Sequence, residues 1–368
     1  MNDTPSLFDL TLPKYRINKP IRLIELFAGI GSQAKALKNL NANFEHYRVC
    51  EFDKYAIDSY NAVHNTNFET SDITKIDSEW LGIVDTDKFE YIMTYSFCCQ
   101  DLSLAGKRAG MEKGSGTRSG LLWEVERLLT ECVNRGGKKA LPQILLMENV
   151  KQVITAKGWH DWCAFLEKLG YSNYCQILNG ADYEIPQHRE RAFMVSILGE
   201  YSYSFPNKKL LKTRLINKEE ENVDEKYFLT NQKIKSILSW KAYQKPFEKV
   251  LGNNSICPTL TARGAGEEHS GMILISPDLD DTTNIQNELE ILVGESVNDI
   301  GIVVSDKKGN KKYLRIRKPT SKECWRLMGF DDEDFEKAEK VNSNAQLYKQ
   351  AGNSIIVNVL MAIFKELL

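Results

Sequence analysis

Apolar residues fall in short runs divided by polar turns, and the runs alternate between two periodicities. Ile21 to Phe27 is apolar except at Arg22 and Glu25, which predicts a strand buried on both faces. It ends at Ala28-Gly29-Ile30-Gly31, and Ser32 to Leu40 then takes helical spacing. Tyr47 to Glu51 predicts a second strand, Tyr91 to Tyr95 a third, and Ile144 to Met147 a fourth that stops at Glu148-Asn149. Tyr55 to His64 and Gly120 to Val133 read as helices, with a loop from Ser96 to Ser119. Trp159 to Leu169 is helical; Tyr174 to Leu178 and Arg191 to Ile197 are strand-like. Strands alternating with helices predict an α/β fold, a doubly wound, Rossmann-like mixed sheet with mostly parallel strands.

Near residue 200 this pattern breaks into short mixed segments, with a charged run from Lys218 to Lys226 and an acidic stretch from Asp278 to Asp306. Helical spacing returns over Ala345 to Leu368, through Ile355, Val359, Ile363 and Leu367. The expected division is a main domain of residues 1–199 plus 341–368 and a smaller, irregular domain of residues 200–340.

Composition narrows the partners. The chain has 368 residues, 48 Lys+Arg and 50 Asp+Glu, for a net charge of −2. It is not globally basic, so a polyanion would have to be met by a local basic face. There is no secretory signal pattern and no apolar run of roughly 18 residues, so no membrane span is expected. Of eight cysteines only Cys98 and Cys99 are close, there is no Cys-x-x-Cys, and five histidines are scattered. The expectation is a cytoplasmic protein with reduced thiols and no metal.

Two places carry candidate chemistry. The Gly29-Ile30-Gly31 turn lies where a first strand meets its helix, a place where backbone can approach a ligand closely. Alone it fits a ligand-free turn as well. Glu51 ends the second strand, where a carboxylate can hold ribose hydroxyls, and Asp72 is suited to accept from an adenine amino group. A third glycine is missing, which disfavours a dinucleotide and favours a nucleoside-type cofactor such as S-adenosylmethionine. The second place is the loop after the third strand, Ser96-Phe97-Cys98-Cys99-Gln100. A cysteine there is placed to act as a nucleophile, although a small buried thiol is the commoner role for any single cysteine. Glu148, beyond the fourth strand, is expected to be desolvated, with its pKa raised. Gln187, Arg189 and Arg191 alternate, so the expectation puts them on one face of a strand.

In this order the motifs resemble the DNA (cytosine-5)-methyltransferases, bacterial or phage type, over nearly the whole chain. Phe27 to Gly31 resembles the family's cofactor turn, and Glu51 and Asp72 its next two cofactor acids. Phe97-Cys98-Cys99-Gln100 resembles Phe-Pro-Cys-Gln, with Cys98 in place of proline. Glu148-Asn149-Val150, Gln187-x-Arg189-x-Arg191, Arg317 to Phe330 and Gly352-Asn353-Ser354 resemble the later motifs. The resemblance implies an S-adenosylmethionine-dependent methyltransferase fold with a target-recognition domain. It implies cofactor contacts at Phe27, Gly29, Ile30, Gly31, Glu51, Phe52, Asp72, Ile73, Asn353 and Ser354. It implies that Cys99 adds to C6 of a flipped-out cytosine and that Glu148 meets N3. Arg191 would hold the base carbonyl, with Arg189 and Gln187 behind it and Gln100 in the catalytic loop. Cys98 lacks the fixed φ of proline and leaves this loop less stiff; whether that alters the rate stays open.

For double-stranded DNA the basic candidates are Lys107, Arg108 and Lys113 to Arg118 after the nucleophile, with Phe97 and Ser103 beside it. Lys233, Lys235, Lys241, Lys245 and Lys249 form a stripe in the smaller domain, and Thr259 and Arg263 lie in a Thr-Leu-x-Ala segment. Each basic group also fits a solvated surface. Gly114 to Trp123 resembles enzymes that methylate CpG. The resemblance implies a monomer, with any cognate restriction endonuclease acting separately. Two alternatives remain: a tRNA cytosine-5 methyltransferase and a catalytically weakened DNA-binding homologue.

Overall fold

The computed structural model describes residues 12–97, 118–230, 232–233, 250–262, 274–276, 285–290, 302–306 and 311–368. Two units emerge: Met1–Asn179, Glu190–Lys208 and Val357–Leu368 in the first, Gly180–Arg189 and Lys209–Ile356 in the second. The later breaks fall near 208 and 356, where 199 and 340 are expected, and residues 180–189 also go to the second unit.

The first unit is built on a six-stranded sheet in the order β2-β1-β3-β4-β6-β5. Its strands are β1 (Ile21–Leu26), β2 (Phe44–Cys50), β3 (Glu90–Tyr95), β4 (Ile144–Val150), β5 (Tyr171–Asn179) and β6 (Glu190–Leu198). β2, β1, β3 and β4 pair in parallel, and β6 runs antiparallel to both β4 and β5. The mixed sheet expected from the sequence is thus present, with one reversed strand. β4 outlasts its apolar run because β6 extends the ladder: Glu148 stands opposite Phe193, Asn149 opposite Ala192 and Val150 opposite Arg191.

The helices of this unit are α1 (Ser32–Asn39), α2 (Lys54–His64), α3 (Ser78–Leu81), α4 (Leu122–Gly136) and α5 (Trp159–Leu169). α2 starts where the Asp53 side chain accepts from the Tyr55 N–H, satisfying one orphan donor of its first turn. α4 buries Leu122, Val125, Leu128, Leu129 and Cys132, a stripe at helical spacing, against the core. Trp162 of α5 is fully buried, edge-on to Tyr95 of β3. Near the chain start, Lys14 pairs with Glu366 and the Ile17 N–H donates to Leu367 O.

In the second unit, β7 (Val250–Leu251) pairs with β8 (Leu274–Ile275), and β9 (Ile285–Glu290), β10 (Ile302–Asp306) and β11 (Lys311–Leu314) form a small antiparallel sheet. α6 (Ser321–Arg326), α7 (Asp332–Glu339) and α8 (Asn344–Asn353) follow. The helix expected over 345–368 is two helices, α8 and, in the first unit, α9 (Val357–Lys365), which packs on α1. Gly352 lies in the last turn of α8, just before this break. A Cβ there would come within 2.0 Å of Thr261 O, so only glycine lets the two backbones approach.

A buried ion cluster pins α6. Arg317 is 1% exposed and reaches both oxygens of Glu323 (2.8 and 2.9 Å) and one of Glu219 (2.9 Å). Glu323 also closes the capping box with Thr320. Removing one partner leaves a buried charge under-compensated. Glu323→Leu is expected to cost about 3–5 kcal/mol, read by equilibrium denaturation.

Candidate active site

Glu51, leaving β2, is the hinge of the glycine turn. Its two carboxylate oxygens accept from the Gly29 N–H and the Asp53 N–H, each at 2.8 Å. Burial pushes its carboxyl up, and the Asp53 and Gly29 N–H groups oppose that. The carboxylate keeps acceptor capacity for a ligand hydroxyl. Phe27 at the turn's start is left-handed (φ 57°), a costly conformation for a side chain with Cβ. The two glycines serve different ends. Among the described residues nothing lies within 4 Å of a Cβ added to Gly29, which faces open space. A Cβ on Gly31 would lie 2.3 Å from His64 Nε2 and 2.7 Å from the Tyr60 ring. Phe52 is 77% exposed beside Glu51, and Ile30 and Ile73 are buried. An exposed ring, an open turn and an acceptor pair fit the adenosine part of S-adenosylmethionine.

Asp72 uses one oxygen to accept from the Thr74 N–H and hydroxyl, which holds its carboxyl below the usual range. The rest of this loop is pinned from α4. Arg127 donates from one nitrogen to both Ile73 O and Ile76 O at 2.9 Å, and pairs with Glu124 and Glu131.

At the same edge of the sheet, on β4, Glu148 is 8% exposed, and its Oε1 lies 3.3 Å from Arg191 Nε. The desolvation expected from the apolar run is present. Asn149 is 2% exposed and donates to Phe97 O at 2.9 Å while accepting from the Val150 N–H. It thereby ties the end of β4 to the last described residue before Cys98. The Phe97 ring packs in the core at 2% exposure.

Gln187 and Arg189 do not share a strand face with Arg191, because β6 begins at Glu190. Pro186 and His188 instead bond to Cys257, which takes this segment out of the β5–β6 ladder and into the second unit. There Arg189, 4% exposed, donates to Leu260 O, Gly352 O and Ser354 O. Gln187, wholly buried, donates to Leu327 O and accepts from the Leu260 N–H. Thr259 donates to His188 O at 2.6 Å. Asn353 is exposed and Ser354 buried. The structure thus gathers Gln187, Arg189, Thr259 and Ser354 around shared backbone. Cys98, Cys99, Gln100, Ser103, Lys107, Arg108, Arg263 and most of the lysine stripe lie outside the described residues, as does the Arg118 side chain. Among the described residues no group of three or more His, Cys, Asp or Glu could hold a metal, and no helix is long and apolar enough to cross a membrane.

Sequence reasoning missed the layer behind the turn. Glu25 is fully buried, accepting from the Tyr60 hydroxyl at 2.5 Å and from the Ala34 N–H at 3.3 Å. An ionisable residue interrupting a buried strand was the available signal. Burial pushes its carboxyl up to about 7 from 4.5, against its hydrogen bonds. Its stabilising effect is therefore fully present below about 4.5 and is lost as pH rises through about 7. His46 and His64, lowered by burial to about 4 and about 3, act with the opposite sign, losing stability as pH falls. The clean readout is a comparison. Between pH 4.5 and 7 the wild type should lose stability relative to Glu25→Gln in thermal melts. A difference constant with pH would contradict the assignment.

Residues 21–368 match the C-5 cytosine-specific DNA methylase family. A type II methyltransferase of Lactococcus lactis subsp. cremoris, M2.ScrFI, is 31% identical over 94% of this chain and 99% of its own. The orphan methyltransferase M.SssI of Spiroplasma monobiae is 30% identical over 95% and 97%. The fold is also that of the Entamoeba histolytica methyltransferase EhMeth (TM-score 0.69, 16% identity, 95% and 98% covered) and of S. pombe Dnmt2 (TM-score 0.65, 20% identity, 94% and 97% covered). A match from the first strand to the last residue, with relatives aligned over nearly their full length, places the chain in the C-5 cytosine-specific DNA methylase family, as a DNA (cytosine-5)-methyltransferase.

Proposed function

We propose that the methyl group goes to C5 of a cytosine flipped out of duplex DNA, with Cys99 as the covalent nucleophile and S-adenosylmethionine as donor. The observation that supports this most is the Glu148–Arg191 pair with Asn149 clamping Phe97 O, two residues before Cys99 in the chain. Cys99 adds as thiolate to C6, forming the S–C6 bond and making C5 nucleophilic. Glu148 meets N3 and draws off the charge that develops in the ring, and Arg191 holds the base carbonyl. When bound, S-adenosylmethionine supplies the methyl group that C5 takes. Loss of the C5 proton then breaks the S–C6 bond and releases Cys99. Glu51 would hold the ribose, Phe52 and Ile73 would flank the adenine, and Asp72 would accept from its amino group. Gln187 and Arg189, bonded to backbone groups of the second unit, shape that unit rather than touch the base.

The DNA contacts proposed are Ser103, Lys107, Arg108, Arg118, Thr259 and Arg263, in a site containing CpG. The protein acts as a cytoplasmic monomer, with any restriction partner acting separately. Bisulfite sequencing of DNA from expressing cells tests activity and context together, and conversion patterns without a shared CpG would remove that specificity.

Two outcomes test the residue roles. A duplex carrying 5-fluorocytosine should trap a covalent adduct with the wild type and with Cys98→Ala, and none with Cys99→Ala. An adduct surviving in Cys99→Ala would overturn the nucleophile. Arg127→Met removes two charge-assisted bonds to the Ile73–Ile76 loop, so KM for S-adenosylmethionine should rise about tenfold with DNA affinity unchanged.

A further inference from the structure

The Gly31 side of the cofactor turn is filled by two side chains of α2 that the reaction does not use. His64 Nε2 lies 3.1 Å from Ile30 O, and since a carbonyl only accepts, Nε2 carries the proton. Its Nδ1 is buried with no hydrogen-bond partner among the described residues, so this one bond to the turn is what the imidazole makes. Tyr60, fully buried, stands 4.6 Å from the His64 ring by centroids and donates to Glu25 at the end of β1. The Tyr60 oxygen also meets His46 Nδ1 at 2.7 Å, so a hydrogen-bonded chain runs His46, Tyr60, Glu25, Ala34 N–H. Both ends of the glycine turn are thus held from behind. Glu25 bonds the first turn of α1 after it, and His64 bonds the carbonyl of Ile30 within it. On the same turn, no described residue lies within 4 Å of a Cβ added to Gly29, which gives its N–H to Glu51.

We propose that Tyr60 and His64 are positioning residues for S-adenosylmethionine: they hold the Ala28–Gly31 turn in the shape that presents Gly29 and Glu51 to the cofactor. This rests on the turn being the cofactor site. Neither side chain touches the cofactor, and each acts through backbone or through Glu25.

The test compares His64→Leu, His64→Gln, Tyr60→Phe and Glu51→Gln in the full chain. Equilibrium Kd for S-adenosylmethionine and for duplex DNA is measured, with kcat at saturating cofactor. His64→Leu should raise the cofactor Kd about tenfold, with DNA Kd and kcat within about twofold of wild type. His64→Gln keeps an N–H donor and should recover most of the affinity. Tyr60→Phe keeps the packing, loses the bond to Glu25, and should weaken cofactor binding several-fold. A general loss of fold would lower DNA affinity and kcat as well, so equal damage in all three readouts contradicts a positioning role. If Glu51→Gln weakens cofactor binding while the His64 and Tyr60 variants do not, this proposal falls alone. If Glu51→Gln also leaves cofactor binding intact, the cofactor reading of the turn falls with it.

Discussion

The chemistry of the first unit depends on one constraint, the parallel register of four strands. Leu26 stands opposite both Cys50 and Tyr95, and Tyr95 stands opposite Met147. In that register β1, β2 and β3 end at one level, and Met147 of β4 stands at it. The next residues are therefore Phe27 and the glycine turn, Glu51, Ser96 leading toward Cys99, and Glu148. A one-residue slip would send each of these side chains to the opposite face. Ligand-binding residues gather at the carboxyl ends of parallel strands for this geometric reason.

The reversed strand adds what parallel strands alone cannot. β6 enters the sheet where β4 ends, so its first residues pass the last residues of β4. That meeting brings Arg191 to Glu148, although 43 residues separate them in the chain. Burying a carboxylate at the end of an apolar strand is costly without a partner, and the guanidinium offsets that cost. Asn149, with its amide turned to Phe97 O, secures the neighbouring strand end in the same region.

Much of this was legible in the residues. The first four strands and the helix Trp159–Leu169 follow from apolar periodicity, and the helix bounds agree to the residue. The ends of strands were less legible. β4 was expected to stop at Met147 because Glu148 and Asn149 are polar, yet pairing with β6 carries it to Val150. β2 begins at Phe44, before the expected Tyr47, although Glu45 and His46 are polar, because an edge strand need bury only part of its surface. Alternation over Gln187, Arg189 and Arg191 looked like one strand face. Pairing of residues 186–188 with Cys257, far along the chain, outweighed it.

The sequence by itself determined which residue types stand at which strand ends: the Gly29–Gly31 turn, Glu51, Cys99, Glu148 and Arg191. These are local facts of spacing, and they suffice to name the family and its reaction. Tertiary structure alone decided what each buried group does. Nothing local distinguishes Gly29, clear of every described residue, from Gly31, filled by His64, or Arg191, paired with Glu148, from Arg189, spent on three backbone carbonyls. The reason is physical. A hydrogen bond or a steric limit belongs to the pair of groups that meet, and here the partner comes from residues tens to hundreds of positions away.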